Sequence, residues 1–257
     1  MRNYFDLKDN VALVTGCSGG LGVQMAKALA SHGCNIVAIA RRQDKLEEVC
    51  KEISDEFGVE TLPLKCDITD TENIEAVVAK AMEHFGRIDI LINNAGTGAV
   101  AAAENITDKQ FNDEFQIDLF GSFKVARAVA NQAMIPAKYG RIINIASMYG
   151  LVGNKICGSA PYHAAKGGVV NLTRALAAEW GVYNITVNSI CPGYFYTDLT
   201  RDTLNSDFFQ QNAKTMIPME RYGEEGELDT ATLFFASRAS TYVTGTNLAV
   251  DGGYTCM

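Results

Sequence analysis

Val11-Ala12-Leu13-Val14-Thr15 runs directly into Gly16-Cys17-Ser18-Gly19-Gly20-Leu21-Gly22, and this junction limits the fold more than any other part of the chain. A short apolar, β-branched run with no alternation suits a strand buried on both faces, as in parallel sheets. The helical pattern Leu21 to Ser31 follows at once. Glycine at 16, 20 and 22 allows a tight turn, close approach of backbone N–H groups to a pyrophosphate, and close packing of helix on strand. A Gly-rich loop alone is often only a turn; between strand and helix it has the context that a dinucleotide-binding fingerprint requires.

The rest of the chain repeats the same alternation. Strand-like runs are expected at Val11 to Thr15, Asn35 to Ala40, Thr61 to Lys65, Ile88 to Asn93, Gly140 to Ala146, Thr186 to Cys191 and Asn247 to Val250. Amphipathic helical patterns fall at Leu21 to Ser31, Lys45 to Phe57, Thr71 to Phe85, Asp108 to Ala137, Tyr162 to Trp180 and Glu225 to Phe235. Strand and helix in turn, without a linker, predict an α/β fold: a Rossmann-type doubly wound parallel sheet forming a single domain over residues 1–257. Ligands of such sheets bind beyond the carboxyl ends of the strands, where Gly16, Arg41, Asp67, Asn94, Ser147 and Pro192 are all expected. Arg201 to Pro218, with no clear strand, reads as a helical lid, the lid segment covering about residues 195–220.

Composition excludes several alternatives. A net charge of −8 and a pI near 5.0 argue against a nucleic-acid partner. Met1 to Asn10 is polar and charged, and no stretch reaches the roughly 18 to 20 apolar residues of a membrane span, so no membrane association and a cytoplasmic location are expected. Cysteines at 17, 34, 50, 66, 157, 191 and 256 form no Cys-x-x-Cys pair and read as reduced thiols. No His/Cys/Asp group has metal spacing, so no metal is expected.

Chemistry is suggested by Tyr162-His163-Ala164-Ala165-Lys166, with Ser147 upstream. A spacing of four places Tyr162 and Lys166 on one helix face, about one turn apart. A phenol has an unperturbed pKa of about 10, and a nearby ammonium favours its phenolate form. A hydroxyl such as Ser147 could hold a substrate oxygen beside the phenol for proton transfer. By itself Tyr-x-x-x-Lys is also a common surface pair.

With Thr15-Gly16-x-x-x-Gly20-x-Gly22, Asp67, Asn93-Asn94-Ala95-Gly96, Ser147, Tyr162, Lys166, Pro192-Gly193 and Thr197 in this order, the chain resembles the short-chain dehydrogenase/reductase family over essentially its whole length. Within the family, Ser147-Met148-Tyr149-Gly150, Tyr162-His163 and Cys191-Pro192-Gly193-Tyr194-Phe195 are most similar to gluconate 5-dehydrogenase and related sugar-acid or polyol reductases. The resemblance implies Ser147, Tyr162 and Lys166 as catalytic residues. It implies cofactor contacts from Gly16, Ser18, Gly20, Leu21, Gly22, Asp67, Ile68, Asn94, Ala95, Gly96, Tyr162, Lys166, Pro192, Gly193, Phe195 and Thr197. Asp67 is read as the acid that holds adenine, although Asp67-Ile68-Thr69-Asp70 is equally a helix N-cap sequence.

Cofactor choice is read at the end of the second strand. An NAD site usually places an acid there; here the residue is Ala40, followed by Arg41 and Arg42, whose guanidinium forks suit a 2′-phosphate. NADP(H) is therefore the expected cofactor, on attraction and missing repulsion together. Asp118 departs from the family pattern, which usually has asparagine at this place in the middle helix. The backbone role can be kept, and Asp118 is carried as a fourth catalytic residue, but a carboxylate there would stabilise the Lys166 charge.

Other positions read more plainly. His163 is assigned to a pocket wall or a subunit contact, His32 and His84 to helix ends, and Trp180 to core or interface. The expected activity is NADP(H)-dependent interconversion of a secondary alcohol and a ketone in a small-molecule substrate, a sugar acid or polyol. The alternatives are 3-oxoacyl thioester reduction, hydroxysteroid oxidation, and a dinucleotide-binding regulator without turnover. The substrate pocket is assigned to loops Ala99 to Glu104, Leu151 to Ala160 and Tyr194 to Pro218. Family members are commonly homotetramers, and Phe123 to Ala133 with Val250 to Tyr254 are the expected contacts.

Overall fold

A computed structural model describes residues 3–98, 101–155, 158–197 and 200–257, with residues 212–214 described by their backbone alone. Among these residues, β1 Val11–Thr15, β2 Asn35–Ala40, β3 Thr61–Lys65, β4 Ile90–Asn93, β5 Gly140–Ile145, β6 Ile185–Pro192 and β7 Asn247–Val250 form one parallel sheet. Its order is β3-β2-β1-β4-β5-β6-β7, the doubly wound arrangement the alternation predicts. The chain leaves β1 toward β2 and β3, then crosses back to β4 on the other side. That reversal opens a crevice between β1 and β4 at their carboxyl ends.

Side-chain alternation along each strand builds a core on either face of the sheet. Ala12 and Val14 of β1, with Ile36, Ile90 and Ile143, pack against Met25 and Leu29 of α1 (Gly20–Ala30), Leu46 and Ile53 of α2 (Gln43–Phe57), and Phe235. Val11 and Leu13 face the opposite way, with Val37 and Leu91, onto Ile74 and Val78 of α3 (Thr71–Phe85), Val125 and Val129 of a long helix α4 (residues 108–137), and Leu176 of α5 (Ala160–Trp180). Trp180 packs on this second core. α3 is capped by Asp70, whose carboxylate accepts from Asn73 N at 3.1 Å, and α4 opens on a capping box between Thr107 and Gln110.

The structure corrects several expectations. The strand placed at Ile88 begins at Ile90, because Asp89 turns its buried carboxylate to the Val11 N–H (2.9 Å) and to both arms of Arg87 (2.7 and 2.6 Å). The helix placed at 225–235 is α8 (Asp229–Ala236), because Gly226 has φ +89° and Glu227 folds back on Arg221 and the Glu224 N–H. Within the expected lid lie two short helices, α6 (Arg201–Leu204) and α7 (Asp207–Met216). The span of α4 matches, but two π turns interrupt it, Gln116–Gly121 and Ala130–Met134. Most apolar residues of 123–133 are spent inside the subunit: Val125, Ala126, Ala128, Val129, Ala130 and Ala133 are buried.

Among the described cysteines, five are buried and Cys256 is exposed; Cys157 lies outside the described residues. Burial pushes the Cys66 thiol up to about 12 and the Cys50 thiol to about 11, so both stay protonated and unreactive near neutrality. Among the described residues no helix is long and apolar enough to cross a membrane.

Candidate active site

Every group singled out in sequence that follows a strand lies at the carboxyl edge of the sheet, and the β1/β4 crevice is its centre. Thr15 Oγ1 accepts from the N–H groups of Asn94 and Ala95, both at 2.8 Å, and Asn94 Nδ2 donates back to the carbonyls of Thr15 (3.1 Å) and Gly16 (3.4 Å). The two strand ends are thereby tied, and there is no room for side chains between them. A Cβ on Gly16, itself at φ +67°, would stand 2.8 Å from Asn94 Nδ2; one on Gly22 would stand 2.5 Å from that nitrogen and 2.6 Å from Gly16 O. Glycine is required at both places by space, and at Gly16 by backbone conformation as well.

Two adjoining clefts open along this edge, of about 750 and 730 Å³, together enough for an extended dinucleotide and a small substrate. Gly16, Ser18, Gly20, Leu21, Asn94, Gly96, Ser147, Tyr162, Lys166, Pro192, Phe195 and Thr197 line the first. Arg41, Asp67, Ile68 and Ala95 line the second, and Arg42 borders both. The N-terminus of α1 opens on the glycine turn, so its unpaired N–H groups suit a phosphate group. The residues present therefore fit a dinucleotide. Gly22, Gly193 and Asp118 do not line the clefts: Gly22 packs on Gly16, a Cβ on Gly193 would stand 2.7 Å from Asp251 Cα, and Asp118 lies behind Lys166.

At the far end, Arg42 donates to Ser18 O (3.3 Å) and Ser18 Oγ (3.2 Å), so its side chain bends over the glycine turn instead of decorating α2. Asp67 Oδ1 accepts from Thr69 N (2.9 Å) and Thr69 Oγ1 (2.8 Å). Those bonds, with Arg41 and Lys124 nearby, hold its carboxyl below the usual carboxylate range. The cap of α3 is Asp70, which leaves Asp67 to the cleft.

The chemical groups meet in the first cleft. Ser147 Oγ accepts from Tyr149 N at 3.1 Å, which leaves its own proton to donate. Lys166, 4% exposed, donates to Ile145 O at 3.0 Å and stands 5.5 Å from the centre of the Tyr162 ring. Behind it lies Asp118, fully buried, with Oδ1 3.9 Å from Lys166 Nζ. Burial opposes the ammonium charge, but Asp118 chiefly, with Tyr162 and Glu114, outweighs it and holds Lys166 above the ordinary lysine range. The first π turn of α4 carries Asp118, and such turns are frequent at functional sites.

Beside Tyr162 stands an aromatic wall that the sequence did not reveal as a unit. Tyr149 is edge-on to Tyr162 (6.4 Å), Tyr194 (6.1 Å) and Tyr254 (6.4 Å), and its hydroxyl meets those of Tyr194 and the amide of Asn154. His163 stacks on the Tyr149 ring at 4.4 Å while its Nδ1 meets Ser159 O at 2.9 Å, which gives it a wall position. The segment expected as a lid joins this wall: Tyr222 OH donates to Phe209 O, and Gln210 donates to Tyr196 OH at 3.0 Å. Ala101 N donates to Gly158 O at 2.9 Å, tying two of the expected pocket loops together; Ala99 lies outside the described residues. Thr97, Ile117 and Thr200 also line the clefts and were not singled out in sequence, as they carry no motif of their own.

Comparison with known proteins agrees with this geometry. Residues 16–255 match the family model described as Enoyl-(Acyl carrier protein) reductase. The chain is 38% identical over 254 residues to 2-dehydro-3-deoxy-D-gluconate 5-dehydrogenase of Dickeya dadantii, covering 98% of each. It is 36% identical to NADP-dependent mannitol dehydrogenase of Alternaria alternata, covering 99% of this chain and 95% of that one. Among solved structures, a gluconate 5-dehydrogenase from Burkholderia cenocepacia J2315 in complex with NADP and tartrate superposes with a TM-score of 0.94 at 35% identity, covering 99% of this chain and 98% of that one.

The tightness of the crevice gives a direct test. Gly22→Ala should push Asn94 off the glycine turn and weaken dinucleotide binding at least tenfold, while far-ultraviolet circular dichroism stays unchanged. Titration of the variant with a dinucleotide, followed by intrinsic fluorescence, measures this; unaltered affinity would show that the turn yields without cost.

Proposed function

The chain belongs to the short-chain dehydrogenase/reductase family and is an oxidoreductase acting on CH–OH groups, and we propose that it interconverts a secondary alcohol and a ketone in a sugar acid or polyol with NADP(H). The observation that carries this reading is that Ser147, Tyr162 and Lys166 open on one cleft with the glycine turn, while Arg41 and Arg42 stand at the other end of the same edge. The sugar-acid and polyol relatives, and the polar wall made by the hydroxyls of Tyr149 and Tyr194 and the amide of Asn154, support a polar, hydroxylated substrate. An identity of 36% over 248 residues to 3-oxoacyl-[acyl-carrier-protein] reductase FabG of Escherichia coli keeps 3-oxoacyl thioester reduction as the second reading. NADPH oxidation over a panel of 2-keto and 5-keto sugar acids, ketoses and a 3-oxoacyl thioester separates the two, and no turnover on any of them would favour a non-enzymatic dinucleotide binder.

In the reductive direction Ser147 donates a hydrogen bond to the substrate carbonyl oxygen, keeping its own proton, and fixes that oxygen beside Tyr162. Tyr162 passes its phenolic proton to that oxygen, and in oxidation takes it back. Lys166, kept charged by Asp118, stabilises the phenolate and offers its remaining N–H groups to the ribose next to the nicotinamide. The bound nicotinamide supplies or accepts the hydride. Asn94, Gly96, Pro192, Phe195 and Thr197 shape the pocket around it, Gly193 lets Pro192 and Phe195 reach it, Ala95, Asp67 and Ile68 stand toward the adenine end, and residues 195–220 act as the lid over the substrate. Asp118 acts through Lys166.

A homotetramer in the cytoplasm completes the proposal. Because most apolar residues of 123–133 are buried within the subunit, the most exposed apolar side chains left for contacts are Phe111 (39% exposed) and Phe120 (44%) on α4, and Leu248 and Met257 near the C-terminus. Sedimentation at micromolar concentration should give a tetramer, and a monomer alone would refute it.

Cofactor choice is tested at the end of β2. Wild type should prefer NADPH clearly over NADH, and Ala40→Asp with Arg41→Ala should reverse the order by adding an acceptor for a 2′-hydroxyl and removing a cation. Equal kcat/KM for the two cofactors in the wild type would contradict it.

Proton transfer is tested at Tyr162. Tyr162→Phe should keep fold and NADPH affinity while turnover falls by roughly 10²–10⁴, as for lost general acid–base catalysis. Lys166→Ala should damage turnover and cofactor binding together. It should also lower stability by about 3–5 kcal/mol, because Asp118 would be left as an unpaired buried charge. Single-turnover kinetics and denaturant titration of both variants give the comparison; a Phe variant with wild-type single-turnover rate would remove Tyr162 from the proton-transfer role.

A further inference from the structure

Asp118 does more than its mechanical task requires. Its side chain reaches from the π turn of α4 to the segment after β4, where Oδ1 accepts the Thr97 N–H at 3.0 Å. A Cβ on Gly96 would stand 2.6 Å from the same oxygen and 3.3 Å from Lys166 Nζ, so bare backbone lies directly over the pair. Bracing that backbone needs one acceptor oxygen, which an asparagine would supply equally well. The second oxygen, Oδ2, is buried and without a hydrogen-bond partner among the described residues. A buried carboxylate with one oxygen unpartnered is costly, so its negative charge is the feature the bracing role leaves unexplained.

What that charge faces is well defined. Lys166 Nζ lies 3.9 Å away and directs its hydrogen bond to Ile145 O, not to Asp118. Around Lys166 the other titratable groups are Tyr162 on its own helix, Glu114 one turn before Asp118 on α4, and Cys191 on β6, whose buried thiol stays neutral. Lys166, Gly96 and Thr97 line the cleft into which Tyr162 and Ser147 open, so a cofactor ring that reacts there sits close to both charges. A nicotinamide ring is a cation when oxidised and neutral when reduced; the phosphates and riboses are the same in both. A lysine alone would oppose the oxidised form. Lysine with a buried carboxylate beside it presents almost no net charge.

We propose that the Asp118 carboxylate sets the redox preference of the site, cancelling the Lys166 field so that oxidised NADP⁺ is bound about as readily as the neutral ring would be. This rests on the NADP(H) reading of the cleft. The overall equilibrium of the reaction is unaffected; what changes is which binary complex forms, and so the ease of working in the direction of alcohol oxidation. Asp118 is then a positioning residue with an electrostatic task, acting through Lys166 and through space.

The test is a ratio of affinities measured without substrate. Dissociation constants of NADP⁺ and NADPH are determined by calorimetry for wild type, D118N and the double variant D118N/K166M. In D118N the amide oxygen still accepts the Thr97 N–H, so NADPH affinity should remain near wild type, while Tm falls because the buried Lys166 ammonium loses its partner. The ratio Kd(NADP⁺)/Kd(NADPH) should rise roughly tenfold, the effect of one unit charge some 10 Å away at an effective dielectric of about 20. The double variant carries neither charge and should return the ratio to the wild-type value, although both affinities fall with the lost ribose contact. An unchanged ratio in D118N would reduce Asp118 to a brace, and so would a ratio in the double variant that stays with D118N. Should D118N fail to fold, the double variant against wild type decides alone, since equal ratios are required. Wild type that binds neither form would overturn the cofactor reading itself and this inference with it.

Discussion

The whole site depends on how closely β1 and β4 approach where the chain reverses direction across the sheet. Thr15 and Asn94 exchange hydrogen bonds across that gap, and the bonds are possible because no Cβ intervenes at Gly16 or Gly22. Parallel strands with both faces buried cannot splay to relieve a clash, so the gap is fixed by the sheet and the loops must conform to it. From this fixed point the two clefts run in opposite directions, one toward Arg41 and Asp67, the other toward Ser147, Tyr162 and Lys166. The distance between binding and chemistry is thus set by backbone registry, the stiffest feature of the fold.

Sequence legibility follows the same physics. β1 and β2 begin and end where the apolar runs do, because a doubly covered strand must be continuously apolar and the polar turn residues mark its limits; the half-exposed edge strands β3 and β7 also keep their expected bounds. Where a side chain takes over a backbone duty, the pattern misleads: the Asp89 carboxylate accepts the Val11 N–H and delays β4, and Glu227 closes a turn where periodicity suggests helix. The π turns of α4 leave the apolar pattern nearly intact and are invisible in it, yet the first of them aims Asp118 at Lys166. Most motif residues were legible because they follow a strand end, and Tyr162 and Lys166 because a spacing of four keeps them on one face of α5. The aromatic wall was not, since Tyr149, Tyr194, Tyr222 and Tyr254 come from separate segments whose meeting depends on loop paths.

Gly22 and Gly193 show how a motif can mislead about role while being right about place. Both belong to sequence patterns associated with cofactor binding, and both face packed backbone in the structure, Gly22 against Gly16 and Gly193 against Asp251. Their contribution is to let neighbouring residues reach the cleft: Gly20 and Leu21 before Gly22, Pro192 and Phe195 around Gly193.

The wall around Tyr162 combines two demands that usually conflict. The proposed lid must bury apolar area, as Leu204 and Ile217 do in one cluster with Met148, yet a pocket for a hydroxylated molecule must keep donors and acceptors. Tyrosine meets both, packing its ring while leaving a polar tip. Here the tips engage one another or the lid backbone: Tyr149 with Tyr194 and Asn154, Tyr222 with Phe209, Tyr196 with Gln210. Because those partners are exchangeable hydroxyl and amide groups, a substrate hydroxyl can replace one of them without leaving a buried group unpaired. The same contacts that hold the lid therefore can be traded for contacts to a polar ligand, whereas an aliphatic substrate would strand them.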